Sequence, residues 1–296
     1  MMRSGSQKGF TLVEMIMVIV ITGIIGGIVA VFLKAPVRQY VDVARRADMT
    51  DIADTALRRV ARDVRLALPN SVRVAGAVSG AGSCNGSEAC FLEFLPAPSG
   101  GRYRAIANSG TLCAAVAGNT NGDALSFTAA DTCFEVLGDM PAVAVGEQIV
   151  VYNLGIAGAD AYAGNTLATH NRRMVSAVGA NSISITSANA LPFDSPGHRF
   201  HVVSTPASYA CDGAGTLWRY WGYAIQPLQT STDSIAELDA LAGVQKARLA
   251  NHVGSCRFTY DPLVSARSGL LTMHLSITQE GETATLYSAA HVSNQP

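Results

Sequence analysis

Residues 8–34 read KGFTLVEMIMVIVITGIIGGIVAVFLK. Residues 15–33 are apolar apart from Thr22 and the glycines, a run about as long as a helix needs to cross a bilayer. Arg3 and Lys8 precede the run, and no Asp or Glu occurs before Glu14. Positive charge therefore stays in the cytoplasm and the C-terminal bulk is translocated. Lys34 closes the span, and Pro36 is expected to bend or interrupt the chain beyond it. A cleavable secretory signal would have a shorter apolar region and a small-x-small site after it, whereas this run leads into Val31-Phe32-Leu33-Lys34. A plain signal anchor accounts for everything except Glu14. A carboxylate in a spanning helix is costly unless it is paired, so a partner is required.

Gly9, Phe10, Thr11, Leu12 and Glu14 each fall where the type IV prepilin signal has them, and the segment resembles that signal. The resemblance implies a prepilin peptidase that cuts between Gly9 and Phe10 and N-methylates the new terminal Phe10. Glycine at the cut leaves the backbone open to the peptidase. Cleavage places a new amine in an apolar setting, where Glu14 of a neighbouring subunit pairs with it. Two buried charges then neutralise each other only on assembly.

The formal net charge is −1, so no broad pull toward nucleic acid is implied. The charged residues are few and Arg and Lys crowd residues 34–73, while the remainder is rich in Ala, Gly, Ser, Thr and Val. Residues 37–68 read as an amphipathic helix, with Met49, Ile52, Ala53, Ala56, Val60, Val64 and Ala67 recurring at steps of three to four and Pro69-Asn70 ending it. Arg59-Asp63 and Asp54-Arg58 have i,i+4 spacing, and the basic face reads as a solvated or salt-bridged one, since Asp48, Asp51, Asp54 and Asp63 lie among the arginines.

Beyond Asn70 the signals are strands and turns. Residues 75–86 form a Gly/Ser/Ala-rich loop. Segments 90–95 and 102–107 flank Pro96 to Gly101 as a hairpin would, and 173–178 and 182–186 flank Gly179-Ala180-Asn181. Segments 148–153, 198–204, 217–224 and 255–260 are strand candidates. Leu271, Met273, Leu275 and Ile277 alternate with polar residues, the clearest half-buried strand, and Glu280-Gly281-Glu282 turns it into 283–292. Residues 237–251 read as a short helix. The fold class expected is α+β: a long N-terminal hydrophobic, then amphipathic helix packed on a mostly antiparallel β-sheet head with disulfide-stapled loops. The organisation expected is a leader at 1–9, a membrane-spanning helix at 10–34, its amphipathic continuation at 35–69 and one periplasmic head at 70–296, with no linker dividing it.

Six cysteines occur, Cys84, Cys90, Cys113, Cys133, Cys211 and Cys256, none of them in a CxxC pair. Behind an export segment, an even count favours disulfides. Spacing does not fix the connectivity; the expectation is at least two bridges, Cys84–Cys90 and Cys211–Cys256, with Cys113–Cys133 third.

Other candidate chemistry is sparse. On a strand His198 and His201 face opposite ways, a poor arrangement for one metal ion. His170, His252, His274 and His291 stand alone. Asn119 to Asp123 hints at an oxygen-rich calcium loop, but lacks the order and the distant Glu of an EF-hand, so a polar turn is the better reading. Trp218 and Tyr220 would share one strand face, Trp221 and Tyr223 the other, as core and interface pairs or as a glycan platform. No hydrolase, zincin or phosphate-loop signature is present, so no enzyme, metal or cofactor is expected.

Further along, Arg62 to Ser71, Cys90-Phe91-Leu92-Glu93-Phe94, Gly100 to Arg104, Leu217 to Tyr223, Cys256 to Tyr260 and the terminal His291 to Pro296 come in an order similar to that of the O-type minor pilins of the mannose-sensitive haemagglutinin (MSHA) pilus system. The resemblance implies a minor pilin of a type IV pilus that helps initiate, assemble or cap the filament. Its partners would be prepilin peptidase, other major and minor pilins and the inner membrane, which it spans once with its C-terminal head in the periplasm before joining the pilus. The alternatives are a J-type pseudopilin of type II secretion and, from another class, a membrane-anchored periplasmic glycan-binding protein or adhesin.

Overall fold

The computed structural model describes residues 9–76, 84, 89–108, 110–119, 121–163, 170–186, 189–265 and 267–296. Residues 1–8 of the leader, with Arg3 and Lys8, and most of the Gly/Ser-rich loop at 75–86 lie outside the described residues. The architecture is α+β, a long helix followed by antiparallel sheets and three disulfides.

Residues 1–48 and 49–296 form two compact units. One helix, α1 (Leu12–Val64), belongs to both. In the first unit its apolar side chains are exposed, from Leu12 through Val43. Pro36 lies inside α1 and does not interrupt it. The ring removes one N–H, so the carbonyl of Phe32 loses its usual donor, while the turns on either side stay helical.

In the second unit the helix becomes half-buried. Met49, Ala53, Ala56, Leu57, Val60 and Val64 are buried along one stripe. Small residues alternate with branched ones there, which lets the helix approach a sheet closely. The stripe joins one hydrophobic core with residues from two sheets. The first sheet has five strands in the order β1-β2-β9-β10-β11: β1 (Arg73–Gly76), β2 (Cys90–Phe94), β9 (Ala207–Cys211), β10 (Leu217–Trp221) and β11 (Gln245–Ala250). The second is a meander of β12 (Val253–Ser265), β13 (Ser268–Gln279) and β14 (Glu282–Ser293). The alternation at 271–277 is β13, whose Leu271, Met273, Leu275 and Ile277 all face the helix core.

Between β2 and β9 the chain leaves the five-stranded sheet and builds a closed six-stranded antiparallel barrel. Its strands are β3 (Ser99–Tyr103), β4 (Cys133–Leu137), β5 (Gln148–Val151), β6 (Arg172–Val178), β7 (Ser182–Ile185) and β8 (Arg199–Val203), in the order β3-β4-β7-β6-β5-β8. Phe94 and Ala207, the residues where the chain leaves and returns, are paired in register. The barrel has its own core, which includes Tyr103, Phe134, Ile149, Val175, Phe200 and Val202.

Four local expectations are corrected. Segments 90–95 and 102–107 do not form a hairpin: β2 pairs with β1 and β9, while β3 pairs with β4 and β8. Pro96 and Pro98 cannot donate to a ladder, and Gly100-Gly101, read as a turn, are strand residues. A Cβ on Gly100 would lie 2.5 Å from the carbonyl oxygen of Phe200, so glycine is needed there for close approach rather than for turning. Residues 237–251 are not one helix. The helix α2 (Ile235–Ala240) starts at Ser234, whose hydroxyl accepts from the N–H of Glu237. The chain then passes Gly243 in the left-handed region and becomes β11, where pairing with β10 overrides the helix propensity of Lys, Ala, Arg and Leu. The amphipathic helix ends at Val64, before Ala67. Residues 66–68 pair instead with the segment after β2, through Leu68 N–H to Leu95 O at 2.7 Å and Ala97 N–H to Leu66 O at 2.7 Å. Finally, Tyr223 does not share a face with Trp221. The strand ends at Trp221 and Gly222 is left-handed, which turns Tyr223 into the cluster of Phe91, Ala210, Tyr220 and Leu238, with Trp218 packed against it.

Candidate functional site

The N-terminus of α1 is built from Gly9 to Glu14. Thr11 precedes the first helical residue, and its Oγ1 accepts from the N–H of Glu14 at 3.3 Å. Thr-x-x-Glu at a helix start is the sequence of a capping box, and a carboxylate in the first turn is favoured by the helix dipole. The pair thus has a local role as well as the one implied by the resemblance. Phe10 is 81% exposed, just ahead of the helix. A Cβ on Gly9 would meet nothing within 4 Å, so no packing within the chain calls for glycine there. The same is true of Gly23, Gly26 and Gly27 inside the helix, where glycine costs about 1 kcal/mol relative to alanine.

No Lys or Arg occurs between Gly9 and Lys34, so the chain supplies Glu14 with no cation from its own span. The apolar side chains from Leu12 to Leu33 are likewise exposed in this chain. Among the described residues this is the helix long and apolar enough to cross a membrane. A surface of this kind is stable only when lipid or other helices cover it.

The family model for the prokaryotic N-terminal methylation motif matches residues 5–30. Over those residues the chain is similar to prepilins. That motif, carried by type IV pilin-like and pseudopilin-like precursors, implies processing by prepilin peptidase, and the helix behind it is long and apolar enough to cross a membrane. Neither a curated protein nor a solved structure matches the chain.

The six cysteines are joined as Cys84–Cys90, Cys113–Cys133 and Cys211–Cys256. The last crosses from β9 to β12 and so ties the five-stranded sheet to the meander. Cys113–Cys133 pins the loop after β3 to the start of β4. By the loop-closure argument each bridge stabilises by about 2–4 kcal/mol, the widest loop most.

The remaining sequence candidates have structural partners. In the 119–123 turn, Asn119 Nδ2 donates to the carbonyls of Cys113 and Gly122, and Asp123 Oδ1 accepts from the N–H of Cys113 at 2.9 Å. The polar turn is thus closed by its own backbone. His198 and His201 are not brought together on one face: His198 is left-handed and faces Asp194 at 3.5 Å, while His201 lies in β8. Burial, and after it Arg199, depress the pKa of His201, so its ring is neutral at neutral pH. Among the described residues no group of His, Cys, Asp and Glu is arranged to hold a metal ion.

Sequence reasoning missed two polar clusters, one part-buried and one buried. In one, Asp63 Oδ2 accepts from Tyr209 OH at 2.7 Å, Arg59 Nε at 3.0 Å and Arg219 Nε at 3.1 Å. The i,i+4 spacing announced Arg59, but Tyr209 and Arg219 come from strands far along the chain. In the other, Glu93 on β2 is 1% exposed and meets Arg73 at 2.7 Å and Thr232 Oγ1 at 2.5 Å. Burial raises the pKa of Glu93, and Arg73 opposes the rise. Arg73 also lies 3.6 Å from the centre of the Tyr162 ring. Both clusters satisfy these charges from within the chain.

Proposed function

We propose that the chain is a minor pilin of a type IV, MSHA-like pilus, cut by prepilin peptidase between Gly9 and Phe10, methylated at Phe10 and active in filament initiation, assembly or tip formation. One observation carries this reading: a motif-bearing helix whose first half is apolar and uncovered in the chain, and whose second half is buried against the sheets. The uncovered half is bilayer-compatible before assembly and can pack on other spines after it. Glu14 then pairs with the methylated amine of Phe10 on an adjacent subunit, and the head, residues 70–296, remains in the periplasm. Two sheets and an inserted barrel make that head bulky, which suits a subunit present in few copies, since large heads crowd one another along a filament. A J-type pseudopilin of type II secretion uses the same spine, and co-purification with other minor pilins of one system separates the two readings.

The decisive test of processing is mass spectrometry of the N-terminus from cells with an active prepilin peptidase. The expected terminus is N-methylated Phe10. Retention of residues 1–9, or a cut near Ala30, would overturn the proposal.

A further inference from the structure

A closed barrel has no free backbone edge, and this one carries a stretch of outer face almost bare of side chains. Gly100 of β3 stands opposite His201 of β8, and Arg102 opposite Arg199. Gly100 is exposed, and its fit against the Phe200 carbonyl excludes a side chain. At Gly101 a Cβ would come within 2.9 Å of the Phe200 ring, which fills the barrel beneath. The result is a groove of about 380 Å³ with a backbone floor, Pro98 at one end and Arg102, Arg199 and His201 along its wall.

The two arginines face each other across neighbouring strands. Like charges directly opposite on neighbouring strands repel. No carboxylate lies within ion-pair distance of either among the described residues. Arg102 Nε donates to the carbonyl of Gly197 at 3.2 Å, and the Arg199 side chain packs against the same glycine, so both guanidinium groups are held at one end of the groove. Nearby arginines are treated differently: Arg104 is paired with Glu135, and Arg173 is surrounded by carbonyl oxygens. Neither arrangement neutralises Arg102 or Arg199. A planar carboxylate arriving between two guanidinium forks would relieve the repulsion and accept paired hydrogen bonds.

We propose that the groove floored by Gly100 and Gly101 on the outer face of the barrel binds a carboxylate-bearing sugar residue, its carboxylate held by Arg102 and Arg199. The volume is large enough to admit a six-membered ring. The flat floor of glycine, with Pro98 beside it, accepts the C–H face of that ring, and the neutral His201 adds no competing charge. An acidic peptide fits less well, because an extended peptide is held mainly by main-chain bonds to a strand edge and the barrel offers none. The inference is independent of filament membership, since it needs only the barrel to be folded.

The test is titration of the full chain in detergent micelles with D-glucuronate, D-glucose and acetate, followed by calorimetry or saturation-transfer NMR. Glucuronate is expected to bind about tenfold or more tightly than either control. Arg199 is exposed and makes no ion pair among the described residues, so Arg199→Gln should leave thermal unfolding unchanged while weakening glucuronate about tenfold. Arg102→Gln combined with Arg199→Gln should abolish binding. Equal affinity for glucose and glucuronate, no binding of glucuronate, or unchanged binding by Arg199→Gln would each overturn the proposal. Tighter binding of a glutamate-rich peptide, lost in the double variant, would reassign the groove to acidic peptides.

Discussion

Glu14 lies in the first turn of α1 and Asp63 in its last. The helix dipole favours the first carboxylate and opposes the second, yet Asp63 is the one the chain surrounds with donors. Its Oδ2 accepts from a tyrosine and two arginines, and Arg62 lies 3.8 Å from Oδ1. Glu14 has a capping threonine and no cation from its own span. The rest of each segment shows the same pattern. Around Asp63 the apolar stripe is covered by two sheets, and Asp54–Arg58 pair on the outer face at 2.6 Å. Around Glu14 the apolar side chains are uncovered and three glycines touch nothing. One half of the helix is completed by its own chain and the other half requires something outside it. That difference separates, along a single element, what the chain covers from what it leaves exposed.

The sharpest way to break the comparison is to remove each carboxylate in turn. Glu14→Ala is expected to insert, be processed and show normal thermal unfolding of the folded chain, yet be incorporated into filaments at about one tenth of the usual level or less. The charge account predicts the same defect for Glu14→Gln, which nearly keeps the shape. If Glu14→Gln assembles normally, pairing with the Phe10 amine is wrong and the residue serves packing or capping. Measuring filament incorporation beside thermal unfolding distinguishes these outcomes.

Asp63→Leu should do the opposite. It removes the acceptor shared by the part-buried Arg219 guanidinium and Tyr209 hydroxyl, at a cost of about 1–2 kcal/mol. The readout is denaturant unfolding followed by the fluorescence of Trp218 and Trp221, which lie on the same strand as Arg219. Adding Arg219→Leu should recover part of the loss, because an apolar pair leaves no part-buried guanidinium without its carboxylate. No recovery in the double variant would mean that Arg219 is not the partner through which Asp63 stabilises the fold, leaving Tyr209 and Arg59.

The same division explains what could be read from the sequence. The spanning run, the stripe from Met49 to Val64 and the strand at Leu271 to Ile277 are periodic over local stretches, and each is visible without knowing its partner. The barrel is not. Its strands are four to seven residues long and its closure depends on β3 meeting β8, about a hundred residues later. The insertion point is marked by Phe94 opposite Ala207, which nothing local announces. The Pro-Ala-Pro-Ser-Gly-Gly segment even signals a turn, because a glycine required for close approach looks the same as one required for a left-handed backbone. The candidate site at Gly9 to Glu14 was legible for the opposite reason: it is a short linear signal whose recognition needs no folded context. The arginine groove was not, since Arg102 and Arg199 acquire meaning only when β3 and β8 pair.

The smallest expected effect concerns a carboxylate that the chain completes almost without a cation. Asp212 opens the turn between β9 and β10, where Gly213 and Gly215 are left-handed. Its Oδ1 accepts from the N–H groups of Ala214 at 2.8 Å and Thr216 at 2.9 Å, and Oδ2 from the indole of Trp218 at 3.1 Å. Burial alone would raise its pKa; the N–H groups of Thr216 and Ala214 and the Trp218 indole outweigh it and hold the carboxyl below its usual range. A carboxyl whose folded pKa lies below the unfolded value of 3.8 adds stability above that value, and the contribution disappears as pH falls through the folded pKa. Asp212→Asn keeps one oxygen for the backbone but turns an amide toward the indole N–H. The loss at neutral pH should be about 0.5–1 kcal/mol, toward the lower figure because the carboxylate is largely solvated. Unfolding free energies of the two chains measured between pH 7 and pH 2 should therefore converge below pH 3.8. A gap that stays constant across that range would show that Asp212 shapes the turn through geometry, with its charge contributing nothing.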